Sequence, residues 1–167
     1  MKTVLAFIFI FIFLFKVSAQ DKISVSKSTS STFIETYKTS FMGDDFVLDE
    51  AYRLGPASLK ILREGIKTSL KWIELNKDHQ KTFQKEICRF KVMEKERYEF
   101  HGYVDEFADE MTLIFNGESD EIFKIEIKKY NGYSSFIIIE DTTMLNGFKN
   151  LLDGKSANNE IDDIFKN

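Results

Sequence analysis

The stretch that decides the fold is Phe123–Glu140, which reads FKIEIKKYNGYSSFIIIE. In its first half, apolar residues alternate with Lys and Glu, which is the two-residue period of a strand with one buried face. Asn131–Gly132 in the middle is the preferred pair for a type I′ turn, because both central residues of that turn need a positive φ. The stretch therefore predicts an antiparallel hairpin.

The turn also predicts the register of this hairpin. Two apolar residues of each strand should face each other on the buried side: Ile127 with Phe136, and Ile125 with Ile138. Ile137 and Ile139 then fall on the other side, beside charged residues. This side is therefore either partly covered by another element or partly exposed. If it is exposed, Ile137 and Ile139 are the first candidates for an apolar interaction surface.

Three further segments with the same period precede the hairpin. Apolar residues alternate in Cys88–Val92, in Tyr98–Gly102 and in Met111–Phe115. Together with the hairpin they make about five strands, joined by short polar connections without proline. Because strand follows strand at hairpin spacing, we expect an antiparallel sheet and not a doubly wound parallel one.

Two segments have the period of an amphipathic helix. The long one covers residues 57–76 after Gly55–Pro56, where proline suits the first helical position. Its apolar stripe consists of Leu59, Leu62, Ile66, Leu70 and Ile73. Gly65 lies in the apolar half at a cost of about 1 kcal/mol in helix propensity. We infer that it lets the helix approach a sheet closely.

The second, shorter helix follows Asp141 and ends at Gly154, a residue typical of helix C-termini. The pattern as a whole predicts an α+β fold. A long amphipathic helix packs on an antiparallel sheet of about five strands, with a short C-terminal helix.

The N-terminus carries an apolar run from Val4 to Phe15. As a helix it would measure about 18 Å, which is short against the roughly 30 Å of a bilayer core. Lys2 precedes the run and Val17–Ala19 follows it, in the order of a secretory signal peptide. We expect cleavage after Ala19, export to the periplasm or the exterior, and no stable membrane anchor; the alternative is an uncleaved anchor.

These features predict three parts of the chain: a signal peptide at 1–19, a linker at 20–32, and a single α+β domain at 33–167. The linker is expected because its residues are polar and rich in Ser and Thr. At the start of the domain, residues 33–42 fit either a helix face or a strand, and their Thr and Ser content favours the strand.

Charge and cysteine usage exclude several classes of function. The formal charge of −4 becomes −6 when Lys2 and Lys16 leave with the signal peptide. An acidic surface repels phosphate, so we expect no nucleic-acid partner. The single cysteine, Cys88, cannot form an internal disulfide. It alternates with apolar residues, which indicates a small buried hydrophobe and not a nucleophile.

Two acidic clusters are the candidate sites for chemistry. The first contains Asp105, Glu106, Asp109 and Glu110, and the second contains Asp44 and Asp45 with Asp49 and Glu50. Paired carboxylates can hydrolyse glycosides and oxygen clusters can bind calcium, but the spacing fits no EF-hand loop. His79 and His101 lie outside any metal-binding motif. We therefore expect solvated acidic loops, and no cofactor, metal or catalytic residue.

Three functions remain open. The first is an exported, non-enzymatic binding protein for a protein partner or another ligand, which is favoured because no catalytic motif is found. The second is a small exported hydrolase that uses carboxylates from the two acidic clusters. The third is an exported inhibitor or immunity protein, whose acidic loops would suit an enzyme with a basic active site.

Overall fold

The computed structural model describes residues 22–28, 31–40 and 45–155. Within these residues, seven strands form one antiparallel sheet in the sequential order β1 to β7, accompanied by three helices. The strands are β1 Lys22–Ser28, β2 Ser31–Thr39, β3 Phe46–Leu54, β4 Phe83–Glu94, β5 Asp109–Gly117, β6 Phe123–Lys129 and β7 Ser135–Ile139. The helices are α1 Pro56–His79, α2 Lys95–His101 and α3 Thr142–Asp153, and a short 3-10 turn spans Asp105–Phe107.

The α+β class and the antiparallel sheet are confirmed, but the sheet is larger than expected. Its N-terminal half, β1 to β3, precedes the long helix. The prediction of a linker is wrong for Lys22–Ser28, which pairs with β2 along its whole length. Pairing satisfies the backbone groups on the β2 side of this polar segment, and Ile23 and Val25 pack against the core. Composition alone does not report such a partner strand.

The predicted strand around Tyr98–Gly102 is also wrong, because Lys95–His101 forms α2. Lys, Glu and Arg open this segment and are good helix formers, and Arg97 Nε lies 3.0 Å from Glu94 Oε2. The alternation that suggested a strand includes Phe100, which is 83% exposed. The alternation of apolar and polar residues in this segment therefore does not correspond to a buried face of a strand.

The hairpin of β6 and β7 forms, but with a register shifted from the predicted one. Ile127 pairs with Ile137 and Ile125 pairs with Ile139, with an irregularity between Ile127 and Lys128. The turn differs from type I′, since φ is positive at Asn131 (62°) but not at Gly132. Ile137 and Ile139 are 0% exposed, so the predicted interaction surface on these residues is wrong. They belong to the core.

The long helix lies on the sheet as the sequence predicts. Leu62, Ile66 and Ile73 are buried, and Leu59 and Leu70 pack partly buried against the same core. The inference about Gly65 is confirmed, because a Cβ at this position would lie 2.7 Å from both Cys88 Sγ and Leu113 Cδ2. The backbone of α1 therefore rests almost directly on β4 and β5.

The short C-terminal helix is confirmed with both of its ends. Asp141 Oδ1 accepts a hydrogen bond from the Met144 amide at 2.7 Å, and Gly154 ends the helix with a φ of 81°. Arg63 of α1 donates through Nε and Nη2 to the Leu152 carbonyl. The two helices are thus joined at the C-terminus of α3.

In the part of the chain that the structure describes, no helix is both long and apolar enough to cross a bilayer. The predicted signal peptide, residues 1–19, lies outside the described residues.

The contact at Gly65 gives a test of the packing. We expect Gly65→Ala to destabilise the protein by about 1–2 kcal/mol, because overpacking against Cys88 and Leu113 outweighs the gain in helix propensity. The matched control is Gly147→Ala in α3, where a Cβ meets no atom within 4 Å. That variant should gain up to about 1 kcal/mol. Urea unfolding measures both, and an equal gain in the two variants would contradict the close packing.

Candidate functional site

The two halves of the sheet are joined over a very short distance. β3 pairs with β4 only through Tyr52–Glu94 and Arg53–Met93. After Glu94 the chain leaves the sheet and forms α2. Among the described residues, no strand therefore pairs with the edge of β3 that faces away from β2 over residues 46–51.

This free edge carries exposed apolar side chains next to acidic ones. Phe46, Val47 and Leu48 are 51%, 48% and 46% exposed. Asp49 and Glu50 follow and are also exposed. Thr36 pairs with Glu50 and Tyr37 pairs with Leu48, so Asp49 is the extra residue of a β-bulge. A strand edge with these properties is a template for pairing with another chain.

A cleft of about 480 Å³ lies where β3 diverges from α2. Lys129 and Ser134 line it. The other lining residues belong to β3 and to the turn into α2, and they are Leu48, Asp49, Glu50, Ala51, Tyr52, Glu94, Lys95 and Glu96. Tyr52 is buried, and its ring meets Phe136 edge-on with centroids 4.8 Å apart. Burial raises the pKa of Tyr52 to about 12, so the phenol is protonated at neutral pH.

Lys129 ties the end of β6 to this cleft. Its Nζ lies 3.3 Å from Glu94 Oε1 and 3.1 Å from Asp109 Oδ2. Burial alone would lower the pKa of Lys129, but the contacts with Asp109, Tyr52 and Glu94 raise it overall. The ammonium is therefore charged and is already engaged by the protein's own carboxylates.

Lys95 has an equivalent role on the other side of the cleft. Its Nζ donates to Glu35 Oε1 at 2.7 Å, and Tyr37 donates from its hydroxyl to Glu35 Oε2 at 2.8 Å. The hydrogen bond from Lys95 is the largest cause of a lowered pKa at Glu35, which lies in a buried position of β2. This ion pair fastens the first turn of α2 to the sheet.

The structure pairs two residues of the first acidic cluster with different lysines. Asp105 contacts Lys91 Nζ at 2.7 Å on the surface, and hydrogen bonds from Lys91 and then Tyr103 lower its pKa. Glu106 and Glu110 are exposed, and Asp109 contacts Lys129. Asp105 and Asp109 each contact a lysine, so their positions do not support a catalytic pair in which one carboxyl group is the acid and the other is the base.

Two residues of the second acidic cluster lie at the cleft beside β3. Asp44 lies outside the described residues, Asp45 is exposed directly before β3, and Asp49 and Glu50 line the cleft. Sequence reasoning found these acids but not the free edge that they accompany. The sequence FVLDE does contain an indication of this edge, because three consecutive apolar residues stand directly before two carboxylates.

Cys88 and His101 are two other reactive side chains that the sequence singles out. Burial raises the pKa of the Cys88 thiol to about 11, which makes it a poor nucleophile at neutral pH. The exposed His101 ring packs against Phe100 and Phe107, with centroids 4.6 Å and 5.5 Å away. Over the described ranges, no group of three or more His, Cys, Asp or Glu residues could hold a metal ion.

No protein-family model matches the chain, and no curated protein or solved structure shows significant similarity to it. The α+β class does not specify an activity, because one fold hosts many unrelated functions. The function is therefore inferred from the geometry of the β3 edge and its cleft.

The Glu35–Lys95 pair predicts a pH-dependent contribution to stability. The pKa of Glu35 is lower in the folded than in the unfolded chain, so this contribution is complete near neutral pH and is lost as the pH falls below about 4. We expect Lys95→Met to cost about 1–3 kcal/mol at pH 7. The difference from the parent protein should shrink steadily in acid.

Urea unfolding between neutral and acidic pH measures this difference. The control is Lys67→Met, which removes an exposed pair with Glu64 on α1 and should change stability little at any pH. A Lys95→Met penalty that stays constant down to about pH 3 would contradict the assigned role of Glu35.

Proposed function

We propose that this chain is an exported, non-enzymatic binding protein that captures an extended, basic segment of a partner protein along the free edge of β3. The observation that carries the proposal is the strand edge itself. Over residues 46–51 its outward side pairs with no described strand, and it carries half-exposed Phe46, Val47 and Leu48 with neighbouring carboxylates.

Strand addition explains why these features occur together. A partner strand that pairs with β3 would satisfy the backbone groups of the free edge and gain affinity from main-chain hydrogen bonds. Its apolar side chains would cover Phe46, Val47 or Leu48. Burying each such side chain contributes up to about 1.5–3 kcal/mol.

The charge around the edge favours a basic partner. Asp45 and Glu50 lie along it, and Glu96 lines the adjoining cleft. Asp49 also lies there, but its Oδ1 contacts Lys38 Nζ at 2.6 Å. The two lysines of the cleft, Lys95 and Lys129, are already paired with acidic residues of the protein. Complementary charge on a partner speeds association and excludes wrong partners.

The same charges disfavour a second copy of this chain as the partner. Two identical edges related by a two-fold axis would bring the acidic positions of one β3 towards those of the other. Like charges that face each other across a strand pair are destabilising. A self-associated dimer through this edge is therefore the weaker candidate.

The other functions considered at first receive unequal support. An exported inhibitor of an enzyme with a basic active site would be a special case of the proposed binding, since it needs the same acidic edge. The hydrolase gains no support from Asp105 and Asp109, which contact lysines. Export itself rests on the signal-peptide pattern of residues 1–19.

Binding can be tested with a labelled peptide of alternating valine and lysine, followed by fluorescence anisotropy. We expect it to bind more tightly than the matching valine–glutamate peptide, and to bind less tightly as salt is added. Leu48→Ser and Glu50→Lys should each weaken binding about fivefold, because each removes roughly 1 kcal/mol of apolar or ionic interaction.

Two variants serve as matched controls for these changes. Ile122→Ser removes an apolar side chain that is 53% exposed, and Glu140→Lys reverses an exposed charge; neither residue adjoins β3. Both should bind the peptide like the parent. Equal binding of the two peptides, or equal weakening in the controls, would refute capture at the β3 edge.

A further inference from the structure

A second cavity lies at the C-terminal end of α1, where the helix passes over the start of β4. This groove has a volume of about 560 Å³ and is formed by Trp72, Leu75, Phe83 and the side chains around them. Trp72 and Phe83 are half-buried, and Leu75 is 45% exposed. Apolar side-chain surface is therefore left accessible at this end of the helix.

The floor of the groove is an ordered aromatic cluster. The Trp72 ring lies 6.1 Å from Phe83 and 5.6 Å from Phe115, and Phe83 lies 5.4 Å from Phe115, measured between centroids. These are the spacings of well-packed aromatic rings. Because Phe115 is fully buried, the cluster connects the groove directly to the core.

Asn76 closes the end of the groove and holds its walls together. Its Nδ2 donates to the Glu118 carbonyl at 3.0 Å, and its Oδ1 accepts from the Lys81 amide at 3.0 Å. The groove is thus preformed by contacts between the helix end, the following turn and the β5–β6 connection.

The rim of the groove is basic in an otherwise acidic protein. Lys81 and Lys85 line it together with His79, and none of the described residues that line it is acidic. Lys85 Nζ lies 5.0 Å from the centre of the Trp72 ring. Neither lysine forms an ion pair within the described parts of the chain. Two uncompensated ammonium groups therefore border an apolar floor.

We propose that this groove binds a small amphipathic carboxylate, with its apolar body on Trp72 and Phe83 and its carboxylate between Lys81 and Lys85. The apolar lining with a few charged groups at the border is the usual composition of a small-molecule site. The two lysines favour a ligand with a negative charge, and the aromatic floor favours a ligand with an apolar part. This site is separate from the β3 edge and does not depend on the proposed peptide binding.

Trp72 makes the proposal directly measurable, because it is the only tryptophan in the chain. The probes are octanoate, octanol and octylamine, which share one apolar tail and differ in charge. Octanoate should change the emission of Trp72 at the lowest concentration, and octylamine should need the highest. Lys81→Glu with Lys85→Glu should weaken octanoate binding at least about fivefold and reverse the order of the probes.

Lys60→Glu is the control, since Lys60 is exposed three turns before Trp72 on the same helix. It should leave the order of the probes unchanged. A second measurement compares quenching of Trp72 by iodide and by caesium. The basic rim predicts stronger quenching by iodide in the parent protein and by caesium in the double variant.

Three outcomes would overturn the proposal. The first is an equal response to the three probes, and the second is no response together with equal quenching by the two ions. The third is a shift of Trp72 emission on Phe165→Ser with no response to octanoate, which would assign the groove to the chain's own C-terminal segment. Preference for octanoate that is lost in the double variant supports the site.

Discussion

The joint between β3 and β4 is the constraint on which the rest of the structure depends. Among the described residues, the strands of the two halves pair only at Tyr52–Glu94 and Arg53–Met93. The joint is stable because Met93 and Tyr52 are buried within it. It is short because the chain leaves the sheet after Glu94. Continuing the same register would place Glu96 opposite Glu50, and like charges at facing positions destabilise a strand pair.

The free edge and the cleft follow from this departure. If residues 95–101 continued β4, they would cover β3 over residues 46–51. As the helix α2, they instead leave the outward side of those residues without a described partner strand, and Lys95 and Glu96 line the cleft. Lys95 and Lys129 then neutralise buried or partly buried carboxylates. Asp49 pairs with Lys38 of β2 at 2.6 Å, which leaves Glu50 as an exposed acid of β3 that forms no salt bridge with a described residue. Local helix preference in a short segment thereby determines which part of β3 is left without a neighbouring strand.

The sequence predicted the elements that rest on local, strongly periodic patterns. These are α1 with its close approach at Gly65, the strands of the C-terminal half of the sheet, and α3 with Asp141 and Gly154 at its ends. Each of these elements depends on residues within it or next to it in the sequence, such as an apolar stripe, a glycine without Cβ or a capping side chain.

The parts that sequence reasoning missed depend on distant partners. Lys22–Ser28 is a strand because β2 lies beside it. Ile23 and Val25 alternate with serine, but this short pattern lies in a segment whose polar composition favours a linker. The register of β7 depends on an irregularity at Ile127–Lys128, and a one-residue shift moves side chains to the opposite face. The acids of the second cluster were found, but the free edge exists only because α2 forms. Periodicity cannot separate a buried face from an exposed one such as that containing Phe100.

The most direct test is an NMR measurement of backbone chemical shifts at residues 95–101, combined with amide hydrogen exchange along β3. The account predicts helical shifts for Lys95–His101, fast exchange for the outward amides of residues 46–51, and slow exchange in the paired strand β2. Extended-strand shifts at 95–101, together with slow exchange of every amide in residues 46–51, would contradict it.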